Sequence, residues 1–121
     1  MTTAEALAGL GSLAQQTRLE VFRLLVQRGP EGLSAGAIAE AVDVPSSSLS
    51  FHLQALMHAG LVTQQRRSRQ LIYAARFAQM NALVAYLTEN CCGGMSCGTE
   101  PVRSAPPERS TPVRAAGRGR R

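Results

Sequence analysis

The 121 residues contain no lysine and no tryptophan, and aromatic residues make up only 4% of the chain. A core built from them must be aliphatic and closely packed, and the length allows one such core rather than two. No apolar run approaches the roughly 20 residues that cross a bilayer. Residues 1–13 lack the basic start and long apolar stretch of a secretory signal, so the expected compartment is the cytoplasm. Nucleophile motifs, a phosphate-binding glycine loop and paired catalytic carboxylates are all missing, which points away from an enzyme.

The charge is +5, and its placement carries more information than its size. Across residues 1–100, Arg18, Arg23, Arg28, Arg66, Arg67, Arg69 and Arg76 are balanced by Glu5, Glu20, Glu31, Glu40, Asp43, Glu89 and Glu100. The excess sits in residues 101–121, which also hold Pro101, Pro106, Pro107 and Pro112 and read as a disordered Arg/Pro-rich tail. A basic tail does not show that the folded part meets nucleic acid; that needs local clustering.

Hydrophobic periodicity gives helices over residues 3–13 and 17–27, the second with Leu19, Phe22, Leu25 and Val26 as its stripe and Thr17 with Glu20 as a capping box. Ser34 can cap a short helix over 35–41. Asp43-Val44-Pro45 breaks it, and Ser46 or Ser47 can cap the next helix to about residue 58, with Leu49, Leu53, Leu56 and Met57 inward. Residues 61–66 and 70–76 read as a hairpin around Arg67-Ser68-Arg69. Helical spacing returns over 77–90 through Phe77, Met80, Leu83, Val84 and Leu87. The resulting fold is mainly α with a two-stranded wing (α+β), a winged helix-turn-helix. Its expected extent is 1–92, followed by a Cys-rich segment over 91–100 and the tail over 101–121.

The helix after the turn presents Ser46, Ser47, Ser48, Ser50, Phe51, His52 and Gln54 off its apolar stripe, toward its start. That is where a recognition helix meets base edges and phosphates in the major groove of double-stranded DNA. Arg66, Arg67 and Arg69 at the hairpin tip suit phosphates or the minor groove. Each feature alone is also what a capped turn or a solvated tip looks like, and His52 also fits a structural role against the second helix. Their order around one helix-turn-helix is what favours DNA.

Residues 17–25, TRLEVFRLL, together with 48–56, SLSFHLQAL, and 59–62, AGLV, resemble the ArsR/SmtB family of metal-responsive repressors over about residues 5–100. The resemblance implies a homodimer joined through the first and last helices, operator binding without the ion, and release when the ion binds. Where the family's wing carries Gly, this chain has Ser68, which leaves the turn type open. Two family sensing placements are missing: Ser34-Ala35-Gly36-Ala37 holds no thiol, and the last helix holds only Glu89 among Asp, His and Glu.

What remains is Cys91, Cys92 and Cys97. Three thiols within seven residues make a poor disulfide framework and a good site for a thiophilic ion. Trivalent arsenic takes three thiolates in a pyramid, and Gly93-Gly94 is flexible enough to bring Cys97 back as the third. The run 86–92, YLTENCC, resembles a subgroup of arsenic-responsive repressors with C-terminal Cys triads, which implies arsenic(III) as inducer along with antimony(III); methylarsenite needs only two thiolates. Zinc also fits the Cys spacing but wants a fourth ligand. A thiol redox switch and a non-sensing nucleic-acid binder led by the Arg-rich tail are the other readings.

Overall fold

A computed structural model describes residues 1–94 of the chain. Met1–Leu87 forms one unit and the chain from Thr88 a second. Within the first, five helices and three strands follow in the order α1 (Thr3–Leu13), α2 (Gln16–Arg28), β1 (Leu33–Ser34), α3 (Ala35–Val42), α4 (Ser46–His58), β2 (Val62–Arg67), β3 (Gln70–Ala75) and α5 (Phe77–Leu87). This is the expected winged helix-turn-helix order.

The caps at α2 and α4 differ from the expectation. The capping box forms at α1, where Thr2 Oγ1 accepts from the Glu5 amide at 3.1 Å and the Glu5 carboxylate accepts from the Thr2 amide at 2.8 Å. At α2 the cap is Gln15, whose Oε1 accepts from the Arg18 amide at 2.8 Å. Thr17 therefore lies inside the helix, and Glu20 is engaged by Gln16 instead, Nε2 to Oε2 at 3.1 Å. At α4 the N-cap is Pro45, extended at φ −64° and ψ 150°, with no side-chain cap. Ser46 is drawn into the first turn because the fixed proline φ precedes a helix without strain. Ser34 caps α3 as expected, its Oγ accepting from the Ala37 amide at 3.2 Å.

The core joins Val21, Phe22 and Leu25 of α2, Ile38 of α3, Leu49, Leu53 and Leu56 of α4, and Leu61, Val62, Tyr73 and Ala75 around the wing. Leu19, expected in the α2 stripe, is exposed instead, and Val21 takes the inward place. The buried face of α2 is thus rotated from the expected one. Leu7 and Leu10 of α1 and Leu87 of α5 are also exposed. The helices α1 and α5 approach closely: a Cβ at Gly9 would stand 3.5 Å from Leu83 Cδ2. Thr3 Oγ1 and Tyr86 Oη share a hydrogen bond at 2.6 Å.

The wing is longer by one strand than a hairpin. The order is β1-β3-β2, all antiparallel, with Leu33 opposite Tyr73 and Ser34 opposite Ile72. Two residues of β1 are too few for an alternating pattern to show in the sequence. The register Val62↔Ala75 to Arg67↔Gln70 places Arg67 in the strand and leaves Ser68-Arg69 as a two-residue turn. Ser68 adopts φ 57°, the left-handed region that two-residue hairpin turns require of their first residue and that glycine enters most cheaply. Helix α5 ends at Leu87, three residues before the expected end. In the second unit Asn90 and Cys92 take positive φ, and residues 91–94 form a 3-10 turn with Cys91 N–H donating to the Thr88 carbonyl at 3.0 Å.

Candidate nucleic-acid interface and cysteine segment

Helix α4 owes its orientation to one apolar row. Leu49, Leu53 and Leu56 recur at i, i+4 and i+7 and are buried against α2 and α3. At about 100° per residue the row diametrically opposite is Ser47, Phe51, Gln54 and His58, and all four are exposed. Ser48 and Ser50 flank that row, Ser46 opens the helix, and all three are exposed as well. Six of the seven α4 residues expected at an interface are therefore solvent-exposed. Because no side chain caps α4, its first-turn amides face outward beside three hydroxyls. Such a helix start suits a phosphate oxygen.

His52 is placed differently. It is half-buried and turns toward α2, with Nδ1 3.5 Å from Arg18 Nη1. Arg18 is fixed in turn by its Nε, which donates to the Ser12 carbonyl at 2.7 Å. Ser12 closes α1, so this arginine ties α1, α2 and α4 at one point. In the sequence Arg18 is one more charge on α2; its place beside a capping turn and four residues before Phe22 carries no mark of a shared contact.

The three wing arginines are exposed but do not form one patch. Strand alternation puts Arg66 on the face shared by Val62, Tyr73 and Ala75, and Arg67 on the opposite face, where its guanidinium donates to Gln65 Oε1 at 3.1 Å. Arg69 sits in the turn itself. A wing tip built this way can straddle a phosphate ridge rather than lie flat on it.

In the second unit, Cys91 and Cys92 are both exposed, with their Sγ atoms 3.8 Å apart. Two sulfurs each about 2.3 Å from one tetrahedral ion are separated by about that distance. Among the described residues no three His, Cys, Asp or Glu side chains stand together as a metal site. Cys97, the expected third ligand, lies outside the described residues, as does the Arg/Pro-rich tail.

Residues 13–65 match a helix-turn-helix domain family. The chain is 33% identical to the arsenical resistance operon repressor of Bacillus subtilis over 81 residues, covering 67% of this chain and 73% of that protein. Among solved structures, an ArsR-like transcriptional regulator from Rhodococcus superposes with a TM-score of 0.64 at 28% identity, over 75% of this chain and 82% of that one. A homodimeric winged helix-turn-helix DNA-binding domain from Mycobacterium bovis, described as a possible ArsR-family regulator, gives a TM-score of 0.57 at 26% identity over 76% and 85%.

Proposed function

This chain belongs to the ArsR family of winged helix-turn-helix, DNA-binding transcriptional regulators, and from that premise we propose that it is an arsenic(III)-responsive repressor acting as a homodimer. The observation that carries the DNA half is the outward row of α4 set opposite its buried leucines, with the arginine wing beside it. Ser46, Ser47, Ser48, Ser50, Phe51 and Gln54 meet the major groove; Arg66, Arg67 and Arg69 hold phosphates. His52 acts from behind, through Arg18, in placing the helix. The exposed Leu7, Leu10 and Leu87 on α1 and α5 supply the apolar face for the second protomer, and the M. bovis domain is a homodimer of the same fold.

The sensing half rests on two supports. The B. subtilis relative is a repressor of an arsenical resistance operon, and the adjacent thiols Cys91 and Cys92 bring two soft ligands to one place. With Cys97 as third ligand, arsenic(III) or antimony(III) is the inducer; methylarsenite is satisfied by two. Ion and operator binding are then negatively coupled, by an amount typically about 1–3 kcal/mol. The same adjacent sulfurs carry a second reading, a thiol redox repressor that changes state with these cysteines and no ion.

The test is operator binding followed by fluorescence anisotropy in reducing buffer, on the native chain and on Cys91→Ser, Cys92→Ser and Cys97→Ser. Release by arsenite that is lost in all three variants establishes a three-thiolate sensor. Release that survives only in Cys97→Ser assigns a two-thiolate site and a methylated arsenical. If arsenite binds one to one and the operator stays bound, the sensing mechanism is wrong. Release by oxidant alone, without arsenite, moves the redox reading to the front.

A further inference from the structure

Phe51 is the anomaly on the outward row of α4. It is 67% exposed, the largest fraction of any bulky apolar side chain among the described residues. Along its row it stands between Ser47 and Gln54, and on one side it borders an open groove with Ala8 and Met57, which still leaves most of the ring in solvent, so intramolecular packing does not explain an aromatic ring there. The ring is nevertheless held in place: it meets His52 edge-on, with centroids 5.7 Å apart and planes at 70°. His52 is itself set by Arg18, and Arg18 by the Ser12 carbonyl. An exposed ring backed by a chain of contacts from the body of the domain is presented rather than left over.

We propose that Phe51 reads the C5-methyl group of a thymine in each operator half-site. This rests on the operator-binding reading of α4. Ser47 and Gln54 lie one turn either side of Phe51 on the same row, and both are hydrogen-bonding types that suit phosphates or base edges. In the major groove the thymine methyl is the apolar feature among donors and acceptors, and an apolar side chain is what discriminates it from cytosine and from uracil. Phe51 is the member of the row with that chemistry. His52 is a positioning residue in this account, since its ring fixes the angle at which Phe51 leaves the helix.

The experiment first selects operator sites from a randomised duplex pool with the full chain, then replaces each thymine of the selected half-site by deoxyuridine, which removes one methyl and nothing else. One position per half-site is expected to lose about fourfold in affinity, the worth of one buried methyl, and about fifteenfold when both half-sites are changed. In Phe51→Ala that penalty disappears while the salt dependence of binding is retained, because phosphate contacts are untouched. Phe51→Leu, which keeps an apolar side chain, retains part of the penalty. The proposal is overturned if no thymine shows a methyl effect, or if the effect is the same in Phe51→Ala. It is also overturned if Phe51→Ala changes the oligomeric state with the methyl effect intact, which would assign the ring to a second copy of the chain. Failure to select any site refutes the operator-binding reading itself, and this one with it.

Discussion

Gly32 connects the wing to the helix-turn-helix, and replacing it by alanine tests how. Its φ is +72°, and a Cβ there would lie 2.4 Å from the Tyr73 carbonyl oxygen and 2.9 Å from Ile72 Cγ2. Two costs add. Left-handed backbone costs an L-residue about 1–2 kcal/mol. Forcing a methyl group against backbone that is already packed costs about 1–3 kcal/mol more. Gly32→Ala is therefore expected to lose about 2–5 kcal/mol, which lowers the melting temperature of a domain this size by about 10–30 °C. Gly60 separates the two costs. It has φ +82° but its Cβ would meet only Gln79, at an ordinary 3.6 Å, so Gly60→Ala reports the backbone cost alone. Gly36 lies within α3 with nothing inside 4 Å, and Gly36→Ala should raise stability by about 0.5–1 kcal/mol. The assay is thermal unfolding by circular dichroism at one protein concentration, since dimerisation makes melting concentration-dependent. A Gly32→Ala melt no lower than that of Gly60→Ala refutes the close approach. The consequence extends to function, because β1 pairs Leu33 with Tyr73 and Ser34, its second residue, caps α3. Pushing β1 off β3 disturbs the helix-turn-helix at its first cap.

Three other outcomes are expected. Ser68→Gly relieves the positive φ at the wing tip and should stabilise by about 0.5–1 kcal/mol, read as a higher melting temperature; Ser68→Ala should give no gain. Replacing Arg66, Arg67 and Arg69 together by Gln should weaken operator binding and flatten its dependence on log salt by about 0.9 for each phosphate no longer neutralised, and an unchanged slope would take the wing off the DNA backbone. Tyr86→Phe removes the bond to Thr3 that ties α5 to α1; folding should change by less than about 1 kcal/mol, while arsenite's effect on operator affinity should shrink.

Much of the fold is legible in the residues because it depends on periodicity. The leucine row of α4, the Ser34 cap and the two long wing strands follow from spacing and residue type alone, and so does the outward position of the α4 serines, Phe51 and Gln54. The misreadings fall where several local solutions compete. Either Thr17 or Gln15 can cap α2, and the choice turns on where Glu20 goes, which is to Gln16. Leu19 and Val21 are equally apolar, and only the direction from which α3 and α4 arrive decides which is buried. The pairing of β1 with β3 is long-range, between Ser34 and Ile72, and two residues carry no period. The role of Arg18 is hidden for the same reason: its partners, Ser12 and His52, come from the segments before and after its own helix.

Helix α1 is what lets a change at one end of the first unit matter at the other. It packs on α5 through the Gly9–Leu83 approach and the Thr3–Tyr86 bond, and it also packs on α4. Ser12, near its end, holds the arginine that faces His52 beside Phe51. A rearrangement of α5 that moved α1 would thus reach the recognition helix through packed side chains and one part-buried hydrogen-bond chain, with no need for the wing to take part. Linkage makes the requirement symmetrical: if the ligand of the cysteine segment weakens operator binding, the operator must weaken that ligand by the same factor. Tyr86 and Arg18 then play different parts. On the proposed function, loss of Tyr86 is expected to uncouple two binding events that each survive, whereas loss of Arg18 is expected to release His52 and Phe51 and to weaken operator binding itself. A variant pair that showed the opposite division, with Arg18→Ala sparing affinity and Tyr86→Phe abolishing it, would place the connection outside α1.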